Sequence, residues 1–258
     1  MNKIDKLKNI LLCPKAKTPL VYKKKFFYSK KNKKKYYIIN DKICFNSNKK
    51  KVDKFVNIKD YLKNTLGSYY YFILKIFGPT YPFNIKREIT KYLDIKNYKL
   101  KCLDIGSGNL TLNKDFINLD FYPYEKVDVV GDAKNLPFKN KSLDFVYSKS
   151  FLEHSDNPEK IVDEIYRVMK PKSFTIHSIP FMYPYHASPF DYNRYTEEGL
   201  KILFKKFKII KIINISGPFT LINLILIEIV NSFLNLINTN IATFCSTILM
   251  ILISPLKY

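Results

Sequence analysis

Three short apolar runs near the middle of the chain constrain its fold more than any other feature. They are "KLKCLDIG" (99–106), "DFINLD" (115–120) and "VDVVGD" (127–132), and each closes on a glycine turn or an aspartate. Runs of this length with consecutive apolar residues suit strands buried on both faces. "SLDFVYS" (142–148) and "SFTIHSIP" (173–180) read as a fourth and a fifth strand, and "KIIKIINIS" (208–216) as a sixth. Helices are predicted among them. In "NPEKIVDEIYRVMKP" (157–171), Ile161, Ile165 and Val168 share an apolar stripe that Val162 and Met169 broaden, and Pro171 closes the segment. "TEEGLKILFKKF" (196–207) opens on Thr196 followed by acids, a good helix start. Strands alternating with helices predict a mainly parallel sheet whose ligands bind at the carboxyl ends of the strands.

Around this organised stretch, 98–215, the chain divides into three further segments. Residues 1–51 are basic, and within them 10–45 read as a small β unit of short strands separated by lysine turns. Residues 52–97 are aromatic and predicted to be helical, with a stop at Gly78 and Pro79. Residues 216–258 form an apolar tail.

Gly106 and Gly108 directly follow the first strand, where glycine permits a tight turn and close approach of a ligand to backbone. No Gly-Lys-Ser/Thr follows, which disfavours a phosphate-loop NTPase. A dinucleotide site would want a third glycine opening a helix, and Leu110 and Thr111 stand there instead. Asp120 ends the second strand 14 residues after Gly106, where a carboxylate can accept ribose hydroxyls, and Asp132 ends the third.

These residues carry a resemblance. "CLDIGSG", "INLD", "VVGDAKNLPFKNKSLDFVYSKSFLEHSDNPEKIVDEIYRVMKPKSF" and the later "H-x-x-P-x-D-Y-x-R-Y-T" resemble a class I S-adenosylmethionine-dependent methyltransferase over roughly residues 98 to 212. The likeness implies a Rossmann-like α/β fold with a mainly parallel sheet flanked by helices. Here that fold would carry a small N-terminal β unit and apolar C-terminal helices. It also implies S-adenosyl-L-methionine as cofactor. Asp104, Gly106 and Gly108 would cradle its methionine end, Asp120 the ribose, and Asp132 with Ala133 the adenine. Leu136 and Phe138 would line the base pocket, and Ser148 to Ser150 would border the sulfonium. Two departures stand out: the usual Gly-x-Gly-x-Gly ends here as Gly-Ser-Gly-Asn-Leu, and only nine residues separate Gly106 from Phe116. A single turn, or no helix, must suffice in that crossover.

The segment "LLCPKAKTPLVY" resembles a small zinc-ribbon-like module that precedes or partners some methyltransferases. Its second ligand position is Ala16, and only Cys44 remains later, so the resemblance is to a degenerate, metal-free remnant. No metal is expected anywhere in the chain.

"YHASPFDYNRYT" (185–196) follows the fifth strand and should arch over the cofactor. It reads either as a loop stapled by an Asp191–Arg194 ion pair and Pro189, or as a substrate lid. As a lid, His186 would take a proton from a hydroxyl or amine nucleophile, and Arg194 would hold a carboxylate or phosphate. His154 in "FLEHSDNP" reads as bonded to local backbone, or as rimming the cavity with Glu153 and orienting substrate. His177 and Asp144 are expected to be structural. Methyl transfer needs in-line positioning and no metal.

The formal charge of +22 is concentrated at the start, with 17 lysines in residues 1–51 against Asp5 and Asp41. Lysine with little arginine gives point charges rather than forks, which disfavours sequence-specific base reading. Neither an "N/D-P-P-Y/F" string nor a cysteine after the fourth or fifth strand is present, so a nucleic-acid methyltransferase is the weaker reading. The expected acceptor is a small molecule, a lipid or a lipid-linked glycan, methylated on oxygen or else on nitrogen or carbon. A catalytically silent scaffold is the alternative. Four dispersed cysteines and no apolar leader indicate a cytoplasmic setting. Residues 229–256 carry no charge but are interrupted by asparagines. They suit helices that cover the sheet edge, or that lie in or re-enter a membrane at its cytoplasmic face, better than one span. The sequence assigns no oligomeric state.

Overall fold

The computed structural model describes residues 3–47, 65–78, 84–94, 100–109, 111–186, 190–236 and 239–257. In chain order the elements are α1 (Lys3–Leu7), β1 (Val21–Lys23), β2 (Phe26–Ser29), β3 (Lys34–Ile39), β4 (Lys42–Cys44), α2 (Ser68–Phe77), α3 (Ile85–Thr90), β5 (Cys102–Ile105), β6 (Ile117–Asp120), β7 (Val129–Val130), β8 (Leu143–Lys149), α4 (Pro158–Val168), β9 (Met169–Ser178), α5 (Glu197–Leu203), α6 (Pro218–Asn235) and α7 (Thr239–Ile253). The chain divides into two compact units. The first comprises 1–50, 85–180 and 187–209, and the second 51–84, 181–186 and 210–258.

The first unit is built on a nine-stranded sheet in the order β1-β2-β3-β4-β7-β6-β5-β8-β9. From β7 to β9 every pairing is parallel, the Rossmann-like arrangement expected from the strand–helix alternation. The strand residues alternate between two layers. Leu103, Ile105 and Val146 pack with Ile161, Val162, Ile165 and Val168 of α4, while Cys102, Phe145 and Tyr147 pack on the other side with Ile89 of α3. Asn157 caps α4 by accepting from the Lys160 amide at 3.0 Å, and the Thr196 hydroxyl caps α5 by accepting from Gly199 at 3.1 Å. These are the side-chain oxygens that helix N-termini need to satisfy their first amides.

The N-terminal β unit is part of this sheet. β1 to β4 form an antiparallel meander, and β4 then pairs parallel with β7 through Ile43↔Val129 and Cys44↔Val130. An edge strand left open would expose unpaired amides and carbonyls, and β4 covers this one. Leu7, Leu11, Phe27 and Ile43 share a core with Leu119, Val129 and Phe138. Lysines that looked like free charge are partly committed here: Lys3 pairs with Asp128 and Lys17 with Glu164, both at 2.6 Å.

Two expectations change. "KIIKIINIS" forms no strand, since 208–215 make no ladder and Ile209, Ile210 and Ile213 are exposed. An alternating pattern becomes a strand only against a partner, and the sheet ends at β9. The last turn of the predicted helix goes to β9, which starts at Met169 and carries Pro171 on an edge strand, where a missing amide is tolerated. No helix forms among the described residues between β5 and β6, as the short crossover requires. Leu110, Pro189 and the predicted helix over 52–64 lie outside the described residues.

Candidate cofactor site at the carboxyl ends of the strands

β5 runs into the turn Gly106–Ser107–Gly108, with positive φ at both glycines (71° and 56°). At Gly106 a Cβ would also lie 2.5 Å from the Phe151 ring, so glycine is required there twice over. The turn is fixed to the next strand: Gly106 donates its amide to the Leu119 carbonyl at 2.9 Å, and Gly108 donates to Asp120 Oδ2 at 2.9 Å. Asp120 Oδ1 accepts from the Tyr122 amide at 3.0 Å. The Asp120 carboxylate thus organises the turn while keeping further lone pairs to offer.

Asp104 lies beside Asp120, and both are buried. Burial, and then the Asp120 charge, push the Asp104 carboxyl up to about 7. Burial also raises Asp120, against the amides that bond it. Two neighbouring carboxylates away from water form a site short of positive charge. The Ser107 hydroxyl, on the same turn, is buried and has no hydrogen-bond partner among the described residues. Buried hydroxyls are seldom left so, and this one is free to bond a ligand atom. A cofactor with cationic and hydrogen-bonding groups, such as S-adenosyl-L-methionine, fits this donor and acceptor set.

The remaining predicted residues divide. Asp132 caps the short turn Ala133–Asn135, accepting from the Lys134 amide at 2.9 Å. Ala133 is buried, and Leu136 and Phe138 are wholly enclosed in the core. Ser148 is buried, its hydroxyl 2.8 Å from His177 Nδ1, while His177 Nε2 is 2.7 Å from the Thr175 hydroxyl. His177 is held neutral by burial, its pKa down to about 3, which suits the structural role expected of it. Asp144 is likewise structural, accepting from the Lys101 amide and pairing with Lys170.

Residues 190–194 are clamped onto the turn 152–155. Tyr192 donates its amide to the Glu153 carbonyl at 2.8 Å, and the Asn193 side chain donates to the Ser155 carbonyl at 2.7 Å. His154 donates from Nδ1 to the Phe190 carbonyl at 2.6 Å, a backbone bond to a distant segment rather than the local one expected. Arg194 grips Asp191 with two nitrogens, one reaching Oδ2 at 2.6 Å. The Asp191–Arg194 ion pair is therefore present. His186 belongs to the second unit, where its ring meets Tyr183 edge-on. Sequence reasoning underrated Glu153. Its carboxyl is fully buried, 3.8 Å from His154 Nε2, and burial pushes it up to about 7 despite the nearby Arg194 charge. An acid inside "FLEH" looks like any helix-start acid until the clamp closes over it.

A second polar cluster lies in the N-terminal β unit. The Cys13 sulfur is 3.2 Å from both the Tyr36 hydroxyl and Asn32 Nδ2, and the Ala16 amide donates to it at 3.4 Å. Ser29 turns a buried hydroxyl toward the same sulfur but finds no hydrogen-bond geometry. Burial opposes ionisation of this thiol, yet the surrounding donors bring it down to about 7.

A mainly parallel sheet with a glycine turn at β5 and acids at the ends of β5 and β6 is the arrangement that the resemblance to class I S-adenosylmethionine-dependent methyltransferases implies. Residues 87–176 match the family model described as a methyltransferase domain. Among curated proteins, the chain is 29% identical over 102 residues to the biotin biosynthesis bifunctional protein BioHC of Cellvibrio japonicus. That match covers 33% of this chain, which spans only 20% of the relative. Among solved structures, phosphoethanolamine N-methyltransferase 2 of Haemonchus contortus with S-adenosyl-L-methionine aligns over 73% of this chain and 54% of its own, at 21% identity and TM-score 0.45. A chain of the complex between the Haloferax volcanii Trm112 methyltransferase activator and a methyltransferase aligns over 60% and 72%, at 15% identity and TM-score 0.40.

Proposed function

We propose that this chain is an S-adenosylmethionine-dependent methyltransferase acting on an oxygen, or else a nitrogen or carbon, of a small, lipid or glycan-type acceptor. The observation that carries the reading is the buried Asp104–Asp120 pair beside two positive-φ glycines and an unpartnered Ser107 hydroxyl. When bound, the cofactor supplies an electrophilic methyl group. The protein's part is to bind, orient and exclude water. Asp104 and the Gly106–Gly108 turn hold the amino-acid end, Asp120 accepts from ribose, and Asp132 with Ala133 meets the base. At the acceptor, the 190–194 clamp keeps Glu153 and His154 dry, and Glu153, with a pKa near neutrality, is suited to hold a proton released by a nucleophile. Arg194, His186 and the tyrosines of 185–195 are the candidates for binding the acceptor.

Calorimetric titration with S-adenosyl-L-methionine tests this. The expected dissociation constant is about 1–100 μM, weakened at least about tenfold by Asp120→Ala. No binding by folded protein would overturn it. A second reading has its own observation: Arg194 is spent on Asp191 and His154 on Phe190, bonds that a purely structural clamp would also make. Cofactor binding without labelled-methyl transfer to lipid, metabolite or RNA fractions would favour that silent scaffold.

A further inference from the structure

The described parts of α6 and α7 bury polar side chains and expose apolar ones. In α6, Thr220, Asn223 and Leu224 are buried, whereas Phe219, Ile222, Ile225, Leu226, Ile229 and Phe233 are exposed, Phe233 by 69%. The outward positions recur at three- and four-residue spacing, so they line one face. Asn223 donates from Nδ2 to the Ile253 carbonyl at the end of α7 at 3.2 Å, while its Oδ1 and the Thr220 hydroxyl are buried without a partner among the described residues. In α7, Ser246 is buried and Ile241, Ile248, Ile251 and Leu252 are exposed, the last by 71%. Just beyond it the buried Ser254 donates its hydroxyl to the Ile251 carbonyl at 2.9 Å. α2 adds Tyr69, Phe72, Ile73 and Ile76, again outward at helical spacing. Single exposed apolar residues are ordinary, but contiguous faces of them over inward polar groups mark a surface that something covers. Hydrocarbon is the surrounding in which this order is favourable, with the polar groups serving as contacts between helices.

Three observations select a lipid surface as the occupant. The Asn223–Ile253 bond joins the start of α6 to the end of α7, so both open ends of the hairpin lie together. Lys205, Lys206, Lys208 and Lys211 precede those ends in the sequence and Lys257 follows them, while 229–256 hold no charge. That is the pattern that suits anionic headgroups. The exposed apolar positions span three helices, more than the narrow seam through which helices pair. Finally, Glu228, exposed like Ser232 and Asn235, shares with them a line at i, i+4 and i+7 beside the apolar stripe. A polar edge along the second half of the helix suits one lying in the plane of the interface, whereas a span would put that carboxylate in hydrocarbon. We propose that α6 and α7 form a membrane-binding hairpin that lies in the headgroup–acyl boundary of an anionic bilayer. The proposal is independent of the cofactor reading.

The chain contains no tryptophan, which permits a clean probe. Phe233→Trp on α6 and Ile202→Trp on the exposed face of α5 are each placed in the full chain and mixed with phosphatidylglycerol–phosphatidylcholine vesicles. The expected result is flotation that survives a high-salt wash, with blue-shifted emission at 233 that bromine on the acyl chains quenches. Tryptophan at 202 should do neither. The double variant Ile225→Asp/Ile229→Asp, with unchanged circular dichroism, should partition about tenfold or more weakly. Absence of flotation, release by salt alone, or a dimer that shields position 233 without vesicles would each overturn the proposal, the last assigning the face to a second copy.

Discussion

Helices α4 and α6 bury opposite kinds of side chain: α4 turns apolar residues inward, and α6 buries Thr220 and Asn223. In α4, Ile161, Val162, Ile165 and Val168 are buried, and exposed charges such as Lys206–Asp163 pair across its outer side. In α6 the buried side holds Thr220 and Asn223, and the outer side is isoleucine, leucine and phenylalanine. What differs is the outer face, charged on α4 and largely apolar on α6, and burial of polar groups separates the two more sharply than mean hydropathy does.

The largest expected effect separates the two helices directly. Ile165→Asp places an unpaired charge in the core of the first unit and should cost about 3–5 kcal/mol or prevent folding. Ile229→Asp, on the exposed face of α6, should leave the thermal midpoint of the first unit unchanged and only weaken vesicle binding. Equal losses from both, measured by chemical denaturation, would break the comparison.

The buried acids sharpen it from the other side, since the first unit also buries polar groups, among them the Asp104–Asp120 pair. Asp104 has a folded-state pKa near 7 against 3.8 for the ordinary group. The folded protein therefore holds this proton more tightly than the unfolded chain. Its contribution is present below 3.8 and is lost as pH rises to about 7. His177, held neutral by burial, acts in the opposite direction, with stability lost as pH falls from 6.5 toward 3. Comparing wild type with Asp104→Asn cancels that term. The variant should gain on wild type across pH 4 to 7 by on the order of 2–4 kcal/mol, read by thermal unfolding at each pH. A flat difference would show the two carboxylates to be better solvated than their burial indicates.

A smaller effect belongs to the Cys13 cluster. Cys13 and Ala16, Ser29 and Asn32 share the two-residue spacing of paired metal knuckles, and the structure gathers them around one sulfur. Cys13→Ala should cost about 1–2 kcal/mol by stranding its donors. Ala16→Cys/Ser29→Cys/Asn32→Cys should take up one zinc per chain, measured by metal analysis after dialysis. Failure to do so would mean that the four positions do not converge closely enough for tetrahedral ligation. The smallest effect is Thr196→Ala, which removes the α5 cap and should cost about 1 kcal/mol.

Much of the first unit was legible in the sequence, because strand length, the glycine turn and helix caps are local signals. Asp120 and Asp132 lie where their position at strand ends predicts. Other features were not legible. Leu136 and Phe138 looked like pocket lining and are core, since which face of a turn looks inward depends on what packs there, here Leu11 and its neighbours. The strand expected at 208–216 failed for want of a partner. Ser29 and Asn32 were invisible as a pair with Cys13 because neither residue type announces a ligand.

By itself the sequence determined the parallel core, the order of its acids and the uncharged tail, since each follows from the spacing of residue types along the chain. Only the tertiary structure decided that β4 continues the sheet beyond β7, that Glu153 is sealed beneath 190–194, and that α6 buries Thr220 and Asn223 while its isoleucines and phenylalanines face outward. Those outcomes rest on which surfaces meet at long range, and burial is a property of the meeting, not of the residue.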